Sequence, residues 1–319
     1  MIQDIINWAL YSLAGLDPGA RWVKSLNFFI YDSIKIILML FVMISIIGFL
    51  RTYLPQDKVK RWITGKRHGM SNLVASSLGA VTPFCSCSSI PFFLSFLDAG
   101  VPLGVAFSFL ITSPLVNEYL VVLMLGFFGW KITAAYVVSG ILIGVVSGLI
   151  LGRMKLEKHL VRDMVPGNDP AKKEESYAGI RERINFGFKE ALSIIKKLWA
   201  WILVGVGIGA VIHNYVPSAA VQSIVSKGGL FAVPLAVILG VPMYGSCAAI
   251  IPIAVVLFEK GVPLGTALAF MMATAALSLP QAVILRRALK LKLIAIFFGI
   301  VASAIILTGY LYNFLQAII

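Results

Sequence analysis

The stretch Val-Thr-Pro-Phe-Cys-Ser-Cys-Ser-Ser-Ile-Pro, residues 81–91, interrupts a hydrophobic part of the chain. It places Pro83 and Pro91, with a run of hydroxyl and thiol side chains, where a membrane helix needs apolar residues. Proline removes a backbone donor and clashes with the preceding turn, and the freed carbonyls are costly in lipid. Such backbone is tolerated where it lines a cavity or is buried in protein, so the stretch predicts a break at a functional position.

The residues around this stretch are those of a membrane protein. Of the 319 residues, 59% are hydrophobic and 13% are charged, which is more apolar surface than a soluble core can bury. The alternation typical of an outer-membrane barrel is absent, so the fold class predicted is an all-α polytopic membrane protein. Four segments approach or exceed the length of about 20 residues that crosses a bilayer: Ile34–Leu54, Ile132–Leu151, Leu198–Val216 and Leu293–Leu315.

The chain contains an internal repeat. Gly-Val-Pro-Leu-Gly occurs at residues 100–104 and again at 261–265. Upstream, Ser-Cys-Ser-Ser-Ile-Pro at 86–91 matches Ser-Cys-Ala-Ala-Ile-Ile-Pro at 246–252. The predicted organisation is an N-terminal interfacial segment with the candidate belt residues Trp8 and Tyr11, a first membrane repeat, a charged cytoplasmic linker and a second membrane repeat. Their bounds are 1–30, 31–152, 153–192 and 193–319.

The second half carries its own interruption. Gly-Val-Pro-Met-Tyr-Gly-Ser-Cys, residues 240–247, contains Pro242, and Pro252 follows in the segment that matches the first break. Two such segments in symmetric positions favour a solute site, with two hairpin tips meeting near the membrane midplane. The alternative is that the small residues only let helices pack closely. Gly-Val-Pro-Leu-Gly itself predicts a structural turn, with Gly ending one helix and Pro opening the next.

The distribution of basic residues decides the topology. Residues 51–67 hold six Lys and Arg, and the linker from Arg153 to Glu190 holds nine. Both lie on the cytoplasmic side only if each interrupted segment returns to the side it entered, which leaves three spans in each half. An odd number inverts the second half relative to the first, as in many secondary transporters. A broken helix that crosses fully remains the alternative.

Polar residues also fall within the next apolar stretch of each half. Ile-Thr-Ser-Pro-Leu-Val-Asn-Glu, residues 111–118, contains Pro114, Asn117 and Glu118, and its partner in the second half keeps Pro280. An acid inside a spanning segment costs several kcal/mol, so Glu118 is a candidate proton carrier or counter-ion. The alternative is an acid near the headgroups, or one that a neighbouring group neutralises.

Together, these motifs resemble the ArsP-type predicted permeases, a family that includes efflux pumps for trivalent organoarsenicals such as methylarsenite. The resemblance covers nearly the whole chain and implies a permease of the inner membrane. Carried over onto this sequence, it places substrate contacts at Cys85, Cys87 and Cys247. Trivalent arsenic is soft and prefers thiolate ligands, although a cysteine is also a small buried hydrophobe in many cores. Further candidate contacts along the pathway are Thr82, Ser86, Ser88, Ser89, Ser246 and Asn117.

Other functions have less support in the sequence. The histidines lie at helix ends or in loops, and no Walker motif for ATP is present. We therefore predict no catalytic residue, no cofactor and no metal site, with a small molecule or metalloid and the lipid bilayer as partners and no nucleic acid. A channel or a permease for another solute or anion, an intramembrane thiol enzyme and a homo-oligomer remain open.

Overall fold

The computed structural model describes residues 2–17, 19–52, 69–82, 86–98, 100–154, 156–161, 179–215, 229–243, 254–255, 257–258 and 261–316. These residues form helices and one isolated β-bridge, with no β-strand among them. The helices, in chain order, are α1 (Ile2–Asn7), α2 (Arg21–Arg51), α3 (Met70–Val81), α4 (Ser86–Asp98), α5 (Leu103–Leu115), α6 (Glu118–Arg153), α7 (Ile180–Tyr215), α8 (Ala232–Gly240), α9 (Leu264–Ala276), α10 (Leu279–Leu285) and α11 (Leu291–Gln316).

The predicted class, an all-α polytopic membrane protein, is confirmed. Four helical stretches are long and apolar enough to cross a membrane: Trp22–Ile46, Leu120–Arg153, Leu264–Leu285 and Leu291–Gln316. A fifth candidate is a pair within α7, Ile180–Lys196 and Trp199–Ile208, which is bent by 54°. The described residues thus contain four or five candidate spans, against the six predicted for the whole chain.

The two longest amphipathic helices, α2 and α7, lie side by side in opposite directions. At one end, Arg183 Nη1 donates to the carbonyl oxygen of Thr52 at 2.7 Å. At the other end, Gly207 faces the ring of Phe29. Between them, a Cβ on Gly187 would overlap the backbone of Ser45, so glycine is needed for the two helices to approach this closely.

The first interrupted segment turns back on itself. Helix α3 runs parallel to α5, because Asn72 contacts Gly104 while Gly79, nearer its end, lies against Phe109 and Ser113. Helix α4 runs antiparallel to α5, because α4 ends at Asp98, α5 begins only five residues later at Leu103, and Phe93 and Phe107 are in contact across the two helices. Helices α3 and α4 therefore run in opposite directions as the two legs of a hairpin, which supports the predicted re-entrant segment.

Helix α6 reverses direction at Gly129, whose φ of 76° and ψ of 173° are not helical. The whole stretch would be about 50 Å long if straight, well beyond a bilayer. Val116, just before α6, packs on Gly140, so the start of α6 and its middle are neighbours. The two legs on either side of Gly129 must then fold back on each other, giving a short leg to 128 and a span from Trp130 to Arg153.

The second half repeats this arrangement with equivalent contacts. Gly240 on α8 lies against Phe270 and Thr274 of α9, as Gly79 lies against α5. Helix α11 runs antiparallel to α9, because Asn313 contacts Thr266 and Gln316 Oε1 accepts a hydrogen bond from Leu264 N at 2.7 Å. The short helix α10 takes the place of the first leg of α6.

The Gly-Val-Pro-Leu-Gly prediction is confirmed. Gly100 and Gly261 have φ of 74° and 85° and end the preceding helix in each half. The N–H of Val101 donates to Phe96 O at 2.9 Å and that of Gly100 to Leu97 O at 2.9 Å, which is a Schellman cap. The second half forms the same two bonds from residues 262 and 261. Pro102 and Pro263 then stand directly before the next helix.

The described ends of the basic regions contact each other, as the topology requires. Arg183, from the end of the linker, bonds to Thr52 at the start of the basic loop 51–67. Leu160, from the start of the linker, forms an antiparallel bridge with Leu289 in the turn before α11. The side of the membrane on which they lie stays a prediction.

Three details differ from the sequence predictions. Helix α2 begins at Arg21 and α7 at Ile180, so the expected boundaries at 30 and 192 fall inside helices. Pro91 does not end a helix, because α4 continues through it from Ser86 to Asp98. Near a helix start a proline removes only one intrahelical bond, here the one to the carbonyl of residue 87.

The N-terminal segment is tied to α2 by a cluster of amide side chains. Asn27 Nδ2 donates to Asn7 Oδ1 at 2.8 Å and to Tyr11 Oη at 3.1 Å. Gln3 Nε2 donates to Asn27 Oδ1 at 2.8 Å. Trp8 is exposed, which suits the interfacial position predicted for residues 1–30.

Candidate functional site

The break between α5 and α6 lies halfway along a membrane span. Trp130 is 70% exposed and Lys131 is exposed, as expected of residues at a membrane surface. From Trp130 to Arg153 the second leg of α6 is about 35 Å long. Val116 and Leu115 pack on Gly140, which lies about 15 Å from the Trp130 end and about 20 Å from Arg153. The break is therefore near the middle of the bilayer.

The first break holds the predicted residues Pro114, Asn117 and Glu118. Pro114 is buried one residue before α5 ends. Asn117 is half-buried, and its carbonyl accepts the first hydrogen bond of α6, from Val121 N at 2.9 Å. Glu118 opens α6 and is exposed, so it lies at mid-depth on the protein surface and not in the packed interior. Its role in proton coupling stays a prediction.

The second break occurs at the equivalent place, residues 277–278, between α9 and α10. Pro280 lies in the first turn of α10, and its carbonyl oxygen would be 3.2 Å from a Cβ on Gly205 of α7. The N–H of Leu279 donates to Val241 O at 3.0 Å, next to Pro242 at the end of α8. Pro242 therefore follows a helix end as predicted, and the second interrupted segment is bonded to the second break.

Helix α10 contacts the first hairpin and the described start of the second interrupted segment. Its first residue is bonded to Val241 of the second interrupted segment, and it also packs against α4, the second leg of the first hairpin. Helices α5 and α9 contact each other as well, each ending at its own break. The second interrupted segment and the second break thus meet, and the helix that follows this break packs against the second leg of the first hairpin.

The predicted contact residues divide into three groups. Ser89 is fully buried on α4, and Thr82 Oγ1 donates to Leu78 O at 2.8 Å, which caps α3. Ser86, Cys87 and Ser88 form the first turn of α4, and only their backbone is described. Pro83, Cys85, Ser246, Cys247 and Pro252 lie outside the described residues, so the convergence of the thiols stays a prediction.

A buried polar cluster links α3, α5 and α6 in the first half. Asn72 Nδ2 donates to Ser108 Oγ at 2.9 Å and to Gly104 O at 3.2 Å. Gly144 and Gly148 of α6 leave the space that the hydroxyls of Thr112 and Ser108 occupy. These residues were not predicted from the sequence, although the spacing of the glycines along α6 was a signal. Since the amide of Asn72 is bonded, the cluster is a packing device.

Gln281 of α10 was also missed as a site residue. It is 1% exposed, and neither Nε2 nor Oε1 has a hydrogen-bond partner within the described part of the chain. Leaving such a group unpaired costs about 1–3 kcal/mol. The break nearby gave a signal in the sequence, but burial of the amide depends on packing against α7 and α4.

The comparisons with known proteins agree on a membrane permease. The sequence profile of the ArsP-type family, described as predicted permeases, matches residues 21–314. A protein of Streptococcus mutans, named as a subunit of a two-component membrane permease complex, is 24% identical over 61% of this chain and 65% of its own length. The UPF0718 protein YcgR of Bacillus subtilis is 22% identical over 61% of this chain and 66% of its own.

A third relative covers more of the chain. The UPF0718 protein MJ0584 of Methanocaldococcus jannaschii is 21% identical over 76% of this chain and 81% of its own length. No solved structure matches the chain. Because the family profile covers nearly all of the sequence, the chain belongs to the ArsP-type predicted permease family.

Proposed function

We propose that this permease is a secondary-type transporter that exports a small thiophilic solute, a trivalent arsenical such as methylarsenite, across the cytoplasmic membrane. The observation that carries the proposal is that α10, which begins at a break halfway along a span, is bonded to Val241 of the second interrupted segment and packs against α4, which begins in the first. Backbone that leaves the helix at that depth needs protein or water around it. A polar pathway at this point explains why each half contains such a segment.

We further propose that the two halves are inverted relative to each other. Helices α2 and α7 precede the matched motifs in their own halves, and they pack antiparallel. The span of α6 and its counterpart α11 are also antiparallel, because Ser139 Oγ and Tyr312 Oη are 2.9 Å apart while Leu160 pairs with Leu289 beyond their other ends. Two related halves of opposite direction give a site that can open to either side in turn.

The thiols are the proposed solute ligands. The backbone of Cys87 lies in the first turn of α4, next to the hairpin tip. Cys85 lies two residues before Cys87 in sequence, and Cys247 is the residue of the second half that matches Cys87. Soft trivalent arsenic exchanges among thiolates, so two transient contacts hold the solute without trapping it.

The alternatives to this proposal are a permease for an anion, a permease that works with a second subunit, a thiol enzyme and a channel. The N-terminus of α4 begins within the first interrupted segment, and the partial positive charge of a helix N-terminus suits an anion. The Streptococcus mutans relative is named as a complex subunit, which makes a second subunit a candidate partner here. A thiol enzyme would form a product, and a channel would give flux that does not saturate.

Inside-out vesicles test the thiol mechanism. We expect saturable uptake of methylarsenite, which Cys85→Ser, Cys87→Ser and Cys247→Ser each lower and the triple variant abolishes. Antimonite and phosphate serve as a second thiophilic solute and a hard anion. Membrane insertion of each variant is the control. Uptake by the triple variant at the wild-type rate would contradict the thiol mechanism, and uptake of phosphate alone would favour the anion permease.

A further inference from the structure

Gln281 is buried without a hydrogen-bond partner in the part of the chain that the structure describes. Nearly all buried polar groups in native proteins are paired, so an unpaired carboxamide in the interior needs an explanation. A carboxamide offers two donors and an acceptor, and here all of them are unused by the described residues.

Gln281 lies next to the second interrupted segment. It lies two residues after Leu279, whose N–H is bonded to Val241 of the second segment. Its helix also packs against α4 of the first hairpin and against Gly205 of α7. The amide therefore lies in the first turn after the second break, on the proposed pathway.

Packing alone does not require an amide at this place. Gly100 and Gly261 start the repeated motif, so the residue in the first half that corresponds to Gln281 is Leu120. Leu120 is 0% exposed, on a helix leg in the equivalent position after the first break. An apolar side chain of similar size thus fills the matching site, and the amide is an addition specific to the second half.

The described buried side chains around the breaks carry no charge, since Glu118 at the first break is exposed. Among the described residues, every buried polar side chain is a Ser, Thr, Asn or Gln. The hairpin segments 81–97 and 240–258 contain no Asp, Glu, Lys, Arg or His. A charged solute would enter these surroundings without a counter-charge, which is strongly unfavourable.

From these observations we infer that Gln281 contacts the solute directly, and that the solute crosses as a neutral species that carries hydroxyl groups. Oε1 accepts a hydrogen bond from a solute hydroxyl, and Nε2 donates one to a solute oxygen. The inference rests on the proposed permease function and narrows its substrate class. The hydroxylated form of a trivalent arsenical meets it, whereas phosphate does not.

The test compares two buried amides in the purified full-length protein. Gln281→Leu removes an amide that lacks a partner, so we expect its thermal unfolding midpoint to rise in the absence of solute. Asn72→Leu is the matched control, because it removes an amide with two hydrogen bonds and is expected to lower the midpoint. In vesicles, Gln281→Leu should raise KM for methylarsenite about tenfold, the size of one lost hydrogen bond.

Gln281→Asn keeps the amide on a shorter side chain and should recover part of the lost affinity. A lower unfolding midpoint in Gln281→Leu, or an unchanged KM, would overturn the inference, because either result assigns Gln281 to packing or to a resident water.

A second arm separates this inference from the arsenical proposal. Boric acid is a neutral hydroxylated probe with no thiophilic centre, and phosphate is an anionic one. A solute that binds the folded protein raises its unfolding midpoint. If the wild type fails to move methylarsenite, the arsenical proposal fails, but boric acid should still raise the midpoint of the wild type and not that of Gln281→Leu. If phosphate alone raised the unfolding midpoint, the inference that the solute is neutral would be overturned.

Discussion

The two halves build the same backbone arrangement with different side chains. In the first half, Asn72 and Ser108 form a buried polar contact between α3 and α5. The corresponding residues of the second half are Val233 and Ala269, both buried and apolar. In both halves, glycines such as Gly104 and Gly265 let the helices approach at the same points.

The difference distinguishes a buried amide that holds helices together from a buried amide that is available to a solute. The amide of the first half is bonded and holds helices together, and the second half shows that the same packing works without it. The amide of Gln281 in the second half has no partner among the described residues, while its first-half counterpart is Leu120. Substitutions at positions that the halves share, and at positions where they differ, should separate these two roles, with effects that range from loss of folding to little change in stability.

The shared glycines should be the least tolerant positions. A Cβ on Gly104 would meet Gly148 O at 2.5 Å, and one on Gly265 would overlap Gly309 O. Since these neighbours are backbone atoms, Gly104→Val and Gly265→Val should each cost more than about 3 kcal/mol and abolish folded protein in the membrane. Fluorescence-detected size-exclusion chromatography of detergent extracts measures the amount of folded protein.

Gly126→Val and Gly299→Val are the matched controls, because nothing lies within 4 Å of a Cβ at either position. If Gly104→Val and Gly265→Val gave as much folded protein as these controls, close backbone approach would not determine the shared arrangement.

Asn72→Val gives the first half the residue of the second. It should lower stability by about 1–3 kcal/mol, because Ser108 Oγ and Gly104 O lose their donor. Adding Ser108→Ala removes one stranded partner and should restore part of the loss. Thermal unfolding of the two single variants and the double variant completes the cycle. Simple additivity would show that the contact seen in the structure carries no coupling.

Tyr136→Phe makes a similar exchange, because the second-half counterpart is Phe297. Tyr136 Oη donates to Leu115 O at 3.0 Å, one residue before the first break. Its loss should cost about 1 kcal/mol and leave a carbonyl unpaired beside the pathway. We expect a small fall in unfolding temperature with no change in membrane insertion. A stabilised variant would show that this carbonyl has another partner.

Sequence patterns predicted the repeat, both breaks and the helix-ending turns, because proline, glycine and motif spacing act locally. They did not predict the reversal at Gly129, since one non-helical residue between two apolar stretches does not change hydropathy. Nor did they identify Gln281, whose burial depends on α7 and α4 packing around it. Glu118 was predicted inside a spanning segment, but its place in the first turn after a break and the exposure of its side chain were not predicted.

Glu118→Gln should have the smallest effect on stability. Glu118 is an exposed acid in the first turn of α6, where the helix dipole favours negative charge by about 0.3–1 kcal/mol. Its second-half counterpart, Leu279, carries no charge. If Glu118 carries the coupled proton, uptake by Glu118→Gln should no longer respond to a proton gradient. Wild-type coupling in the variant would remove Glu118 from that role.

Access of water to the breaks tests the pathway most directly. In a cysteine-free background, single cysteines at Asn117, Ser278 and Val138 would be treated with a membrane-impermeant thiol reagent from each side. Val138 is 57% exposed and lies two residues from Gly140, so it is a lipid-facing control at the same depth as the first break. We predict that Asn117→Cys and Ser278→Cys react and Val138→Cys does not. Three equally unreactive positions would contradict a solute pathway through the two breaks.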